Sequence, residues 1–220
     1  YLHDAHMRFA LRSGADAICE KPLVLNPWNI DKLQRVEENT GQKIFNILQL
    51  RVHPSIKNLR KKILSENKST KHEVELTYLT SRGNWYNASW KGDEDKSGGV
   101  ATNIGVHFFD MLYWLFGEVQ LLEVEKKDLN TAAGYLEFEN ARVKWLLSTD
   151  SRNLPQEIIE KGQRTYRSIK IDNEELEFSG GFTDLHTLVY KDILSGKGYG
   201  LNDSRAAIEI VEKIRSQRVY

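Results

Sequence analysis

Between Ser97 and Gly117 the chain runs through Ile104, Val106, Phe108, Phe109, Met111, Leu112, Leu115 and Phe116 with little interruption. Read at helical period, Ile104, Phe108, Met111 and Leu115 fall on one face, and Asn103, His107, Asp110 and Trp114 on another. A helix that is apolar almost all round is expected to be buried, and its amide, imidazole and carboxylate groups then need partners or a ligand. Ser97 fits an N-cap, the following Gly98-Gly99 pair lets another backbone or a ligand come close, and Gly117 fits the helix stop. Two readings of the stripe are open: hydrogen bonds to neighbouring backbone, or a functional site.

The segments before this helix alternate. Residues 4–13 carry helical spacing ended by Gly14, Ala15 to Cys19 reads as a short buried strand running into Glu20-Lys21-Pro22, Asn26-Pro27 opens a second helix ended by Gly41, and Lys43 to Leu50 reads as another strand. Helix, strand, helix, strand with short links is the pattern of a parallel α/β sheet. Beyond Arg51 the pattern changes, which places a boundary near residue 50. His53-Pro54 opens a basic helix, and His72 to Ser81 alternates as a strand. Further strands are predicted at Gln120 to Val124, Ala133 to Glu139, Ala141 to Ser148, Arg167 to Ile171 and Glu175 to Phe178, with a hairpin at Glu139-Asn140-Ala141. Strands joined by short loops imply an antiparallel sheet. Asp184 to Leu194 and a last stretch capped by Asp203 read as helices. The predicted fold is α/β plus α+β: residues 1–50 as the C-terminal remnant of a dinucleotide-binding domain, and residues 51–220 as an open, mostly antiparallel sheet covered by helices on one face, the last helix packing back on the first domain.

Composition narrows the partners. With 31 basic and 31 acidic residues there is no net charge to draw nucleic acid or an anionic membrane, and no apolar run is long enough to span one. Cys19 is the only cysteine, so no intramolecular disulfide or cysteine-rich zinc site can form, which suits a reducing, cytoplasmic setting. His3 and His6, like His107 and Asp110, are three apart, but helical spacing produces such pairs often and no metal is expected. The loop Arg82 to Gly92 holds Trp85, Tyr86 and Trp90 with Arg82 and Lys91. Aromatics there read as a ligand lid or a surface flap rather than core.

Glu20-Lys21-Pro22 at a strand end, followed about eighty residues on by Gly98-Gly99, Asn103, Gly105, His107 and Asp110, resembles the Gfo/Idh/MocA family of NAD(P)-dependent sugar oxidoreductases. Ile47 to Pro54, Trp85-Tyr86 with Ser89 to Gly92, Asn103 to Asp110, and Gly181 to His186 resemble the branch that oxidises UDP-N-acetylglucosaminuronic acid at C3 in bacterial surface-polysaccharide (lipopolysaccharide) synthesis. The chain departs from the family in having Asn103 where much of it has Asp. The family's N-terminal strand and glycine-rich turn are not found after Tyr1, so the chain is expected to be the substrate-side portion of a longer enzyme, poor in NAD binding by itself.

The resemblance implies NAD or NADP, NAD in the first place, held near His3, Glu20, Lys21 and Pro22, and it places Lys21 and His107 at the reacting hydroxyl. Oxidising a secondary alcohol requires a group that takes the hydroxyl proton. His107 titrates in the right range, and Lys21 serves if burial among cations depresses it. The first assignment is His107 as base with Lys21 orienting the oxygen, and the reverse stays open. Pro22 biases Lys21 to an extended backbone and allows a cis turn. Asp110 either fixes the His107 tautomer or makes a structural salt bridge, and Asn103 positions substrate. A UDP-sugar acid needs cations and flat surfaces: Arg51, Arg82 and Lys91, with Trp85, Tyr86 or Trp90, are the candidates, with His186 in addition. Family members dimerise or tetramerise through the sheet, so a homodimer or homotetramer is implied if that face is broadly apolar. The alternatives are a non-catalytic oligomerisation or binding module, and a dehydrogenase for another sugar or inositol.

Overall fold

The computed structural model describes residues 1–66, 71–176 and 184–218, without the side chain of Asn84. Two sheets are present among them. In the first, α1 (His3–Arg12) leads to β1 (Ala17–Cys19), and α2 (Pro27–Thr40) leads to β2 (Ile44–Asn46), which pairs parallel with β1. Pro27 starts α2 where its missing N–H costs nothing, Ile30, Leu33 and Val36 bury one face, and Gly41 ends the helix at φ +74°. The second strand is shorter than its apolar run suggests. Gln49 to Val52 form a helical turn, α3, and α4 (Pro54–Ser65) follows with His53 Nδ1 accepting a hydrogen bond from the Ser55 N–H.

The second sheet has six strands: β3 (His72–Thr80), β4 (Val119–Lys127), β5 (Thr131–Phe138), β6 (Ala141–Ser148), β7 (Thr165–Ile171) and β8 (Glu174–Glu175), in the order β4-β5-β6-β3-β7-β8. All neighbours are antiparallel except β3 and β6, which run parallel. Alternation decides the faces. Ala141, Val143, Trp145 and Leu147 of β6 are buried while Arg142 and Lys144 are exposed. The buried side faces the apolar helix of the sequence, here a π turn at Ala101–Gly105 running into α7 (Val106–Phe116). Gly105 sits so close to the sheet that a Cβ would come within 2.5 Å of Leu147 Cδ1, and Phe109 meets Trp145 edge-on at 5.4 Å. The predicted Ser97 cap is corrected: Ser97 ends a short helix, α6 (Glu94–Ser97), and its Oγ accepts from the Gly99 N–H.

α10 (Leu201–Ser216) packs against α7 and α9 (Leu185–Leu194) against α3, with α5 (Asn84–Ala88) and α8 (Gln156–Glu160) in the connections. α10 reaches back to α2 through Gln34–Asn202 and Arg205–Asp31, both 2.5 Å. Asp203 does not cap α10 from outside; it lies at the third position, its Oδ2 accepting from the Gly200 N–H at 2.8 Å. One apolar core runs without a break from Met7 and Ile30 through Phe108 and Phe116 to Ile214. The uncovered face of the large sheet carries Glu73, Glu75, Tyr135, Arg142, Lys144 and Leu146, with Arg142 paired to Glu73 at 3.0 Å, so it is not the broad apolar surface considered from sequence. Residues 177–183, which include the end of the predicted Glu175 to Phe178 strand and the Gly181-Phe182-Thr183 motif, lie outside the described residues.

Candidate functional site

The chain leaves β1 into Glu20-Lys21-Pro22, where the Lys21–Pro22 peptide is cis. The Lys21 ammonium turns toward α7 and donates to the Asn103 backbone carbonyl at 2.9 Å. Asn103 lies within the π turn, an irregularity of the kind often found at functional sites. Two residues past the turn, His107 faces the same crevice: Lys21, Pro22, Asn46, Leu48, His107 and Asp110 are among the side chains that line it. Lys21 and His107, 86 positions apart in sequence, thus line one crevice.

Their electrostatics differ. Burial lowers the Lys21 pKa to about 8, against the opposing pull of Glu20 and with the help of Arg82 and Lys91. Burial, the Lys21 charge and the Arg167 charge hold His107 well below the ordinary imidazole range, so it is a neutral ring. Its Nδ1 is buried with no hydrogen-bond partner among the described residues, and its ring rests against Phe108 at 4.1 Å and Tyr78 at 6.3 Å between centroids.

Asp110 does not orient His107. Arg51 takes its two carboxylate oxygens in a bidentate pair, Nη2 to Oδ1 at 2.7 Å and Nε to Oδ2 at 3.0 Å, and also donates to the Asp203 carbonyl at 2.8 Å. Burial pushes the Asp110 carboxyl up while the guanidinium pulls it back. Arg51 is 3% exposed and its donors are committed, so it ties α3 to α7 and α10 and is not a free cation for a diphosphate. Trp114, the last member of the polar stripe, lies under the Arg60 guanidinium at 4.2 Å.

The remaining candidates divide in the same way. Trp85 and Trp90 are exposed, with the Lys91 ammonium 5.4 Å and 5.8 Å from their rings. Arg82 is part-buried, with an Nε that has no hydrogen-bond partner among the described residues. Tyr86 corrects the lid reading. It is 3% exposed, its hydroxyl accepts from Asn103 Nδ2 at 2.7 Å, and burial raises its pKa to about 12, so the phenol stays protonated. Asn103 therefore links Lys21, through its carbonyl, to Tyr86, through its amide. His3 hydrogen-bonds the Pro22 carbonyl through Nδ1 at 2.7 Å and supports the cis turn. His186 pairs with the Glu20 carboxylate at 3.0 Å and so meets the Glu20-Lys21-Pro22 turn.

The sequence reading missed Arg167, whose guanidinium lies 5.3 Å from the Tyr78 ring and 5.8 Å from the Phe108 ring, beside His107. The signal was present. Arg167, Ile169 and Ile171 alternate along β7, which puts a cation at an inward strand position. Among the described residues no group of three or more His, Cys, Asp or Glu is placed to hold a metal ion, and no helix is long and apolar enough to cross a membrane.

The region 70–164 matches the family model for the C-terminal alpha/beta domain of the Gfo/Idh/MocA oxidoreductase family. The chain is 50% identical to the WlbA (WbpB) dehydrogenase from Thermus thermophilus in a structure with NAD and alpha-ketoglutarate, covering all of this chain and 70% of that one at a TM-score of 0.94. A structure of that dehydrogenase with NAD and UDP-GlcNAcA gives 49% identity over the same shares at a TM-score of 0.93. A putative oxidoreductase of Bacillus subtilis (strain 168), YteT, is 24% identical over 120 residues, which span 52% of this chain and 28% of YteT. With the Lys21–His107 crevice, the sheet that carries it and a relative of 50% identity along its whole length, this chain belongs to the Gfo/Idh/MocA oxidoreductase family.

Proposed function

We propose that the chain supplies the acid/base pair and the sugar site of a cytoplasmic NAD-dependent dehydrogenase that oxidises the C3 hydroxyl of UDP-GlcNAcA, UDP-N-acetylglucosaminuronic acid, for surface-polysaccharide synthesis. The observation that carries this reading is that Lys21 and His107 line one crevice, one nitrogen cationic and the other neutral. The solved dehydrogenase that holds NAD and UDP-GlcNAcA supports the choice of ligands.

The crevice opens at the C-terminal end of β1, the edge of a parallel sheet where dinucleotides bind, so the turn at Lys21 fits a nicotinamide neighbour. Among the described residues the parallel sheet has two strands and no glycine-rich strand-to-helix turn, so no pyrophosphate cradle is assigned to them. Bound NAD supplies acceptance of a hydride from the carbinol carbon.

The protein's own part is proton handling and placement. His107 is neutral and takes the hydroxyl proton on a ring nitrogen. Lys21, an ammonium below about pH 8, donates to the same oxygen and stabilises the negative charge that builds there. Asn103 fixes Lys21 through its carbonyl and is itself fixed by Tyr86. Arg82 and Lys91 provide positive charge for the diphosphate, and Trp85 and Trp90 flat surface for the base. Assembly as a homodimer or homotetramer through the uncovered sheet face belongs to the same proposal; its mixed charges fit a polar interface, and light scattering checks it.

Adding UDP-GlcNAcA and NAD to the full-length protein is expected to give NADH, with 3-keto sugar as product. No NADH from this sugar, with turnover of an unphosphorylated sugar or inositol, would move the function elsewhere in the family.

A further inference from the structure

Resting on the reading of His107 as the base, its two ring nitrogens must be told apart. A neutral imidazole carries one proton, so the nitrogen that takes the hydroxyl proton is bare and the other is a donor that needs an acceptor. The His107 ring is part-exposed while its Nδ1 is enclosed, which leaves the edge bearing Nε2 to reach a substrate. The ring proton then belongs on Nδ1, in a place where a donor without a partner is costly. Asp110, the acidic residue of α7, does not serve as its acceptor: Arg51 takes both carboxylate oxygens, and no hydrogen bond joins Asp110 to the ring.

A second incomplete group lines the same small space. Asn46, at the end of β2, is 3% exposed; its Nδ2 donates to Ser204 Oγ of α10 at 2.7 Å, whereas its Oδ1 is buried with no hydrogen-bond partner among the described residues. Its backbone N–H donates to the Tyr199 carbonyl at 2.8 Å, so the residue is held from main chain and side chain alike. Ser204 occupies the amide nitrogen, and the oxygen, which can only accept, is the group left over. Asn46, Ser204 and His107 all line the crevice, which leaves about 10 Å³ for the centre of a water-sized molecule. That is room for one water, and a water with two or more polar partners is held as part of the fold. We infer that this space binds one ordered water that accepts from His107 Nδ1 and donates to Asn46 Oδ1, and that Asn46 is thereby a positioning residue, fixing the tautomer that leaves Nε2 bare for the hydroxyl proton.

Nitrogen NMR of the imidazole rings in the full-length wild type tests the tautomer without substrate. The His107 signals, identified by their loss in His107→Gln, should show a protonated Nδ1 and a bare Nε2. Kinetics with UDP-GlcNAcA and NAD test the role of Asn46. Asn46→Leu, close in volume but without an acceptor, is expected to lower kcat about 10- to 100-fold and to change KM less than about threefold. It should also move the acid limb of the kcat/KM profile lower, because the imidazolium loses a hydrogen bond that favours it. Asn46→Asp keeps an acceptor and adds negative charge, so it should retain more of the rate than Asn46→Leu and move the same limb higher. Lys21 and Arg167 are the cations that act on the ring, Asp110 is paired with Arg51, and Lys21 titrates at about 8, away from this limb, so these charges are common to both variants. A change in packing alone would not move one limb in opposite directions. A protonated Nε2 in the wild type, or an acid limb unmoved in both variants, overturns the assignment of Asn46; should a variant fail to melt cooperatively, the wild-type NMR result decides. A wild type without the acid limb, or His107→Ala at the wild-type rate, overturns instead the reading of His107 as the base.

Discussion

His107 and Asp110 stand less than one turn apart on α7, both on its polar stripe, yet the protein treats them in opposite ways. Asp110 has its two oxygens filled by Arg51 and faces no unmet demand. His107 lines a crevice together with Lys21, feels the charges of Lys21 and Arg167, and has an Nδ1 without a hydrogen-bond partner among the described residues. A buried polar group that is fully paired holds elements together; one left incomplete awaits a ligand. The same division separates Arg51, enclosed between α3, α7 and α10, from Arg82, part-buried with an Nε that has no hydrogen-bond partner among the described residues.

Variants should divide along that line. The largest effect is expected on the open side: His107→Ala or Lys21→Ala should lower kcat/KM for UDP-GlcNAcA about 10²- to 10⁴-fold with the melting curve unchanged, read by NADH formation and circular dichroism. On the closed side, Asp110→Ala should instead cost about 3–5 kcal/mol of stability by leaving the Arg51 charge buried and unpaired, measured by urea unfolding. A double Arg51→Met, Asp110→Leu variant should recover much of that loss, whereas no second substitution should rescue His107→Ala.

The pH dependence sharpens the roles within the pair. If Lys21 must be protonated to hold the oxygen, kcat/KM is level below pH 8 and falls as pH rises through its pKa of about 8. If Lys21 were the base, kcat/KM would rise through the same range. The acid limb, from protonation of His107, should lie below the ordinary imidazole range, because burial and two neighbouring cations oppose the charged ring. The smallest effect is expected between the two sides. Tyr86→Phe removes the acceptor of the Asn103 amide and should cost about 1–2 kcal/mol of stability, with a severalfold rise in KM and little change in kcat.

The elements were legible wherever local pattern decides them. Pro27 and Gly41 bound α2, and strict alternation from Ala141 to Leu147 marks β6. Three features were illegible for physical reasons. The π turn at Ala101–Gly105 departs from the 3.6-residue period on which the helix was read, although it carries the Asn103 carbonyl that Lys21 uses. Arg51 reads as a candidate cation for the substrate because its partners lie 59 and 152 residues away in sequence. Tyr86 reads as a loop aromatic because nothing local signals that α5 folds it onto Asn103. The tripeptide at Lys21 and the spacing around His107 located the two candidate nitrogens, while long-range packing decided which of their neighbours remained available to a ligand.

The central claim, that Lys21 and His107 act together on one hydroxyl oxygen, is tested most directly by a double-mutant cycle on the rate of hydride transfer in the full-length protein. The Lys21→Ala, His107→Ala double variant is expected to be little slower than the slower single variant, because removing either partner already disables the pair. Losses that multiply, or a single variant that keeps the wild-type rate, would show two independent groups and contradict it.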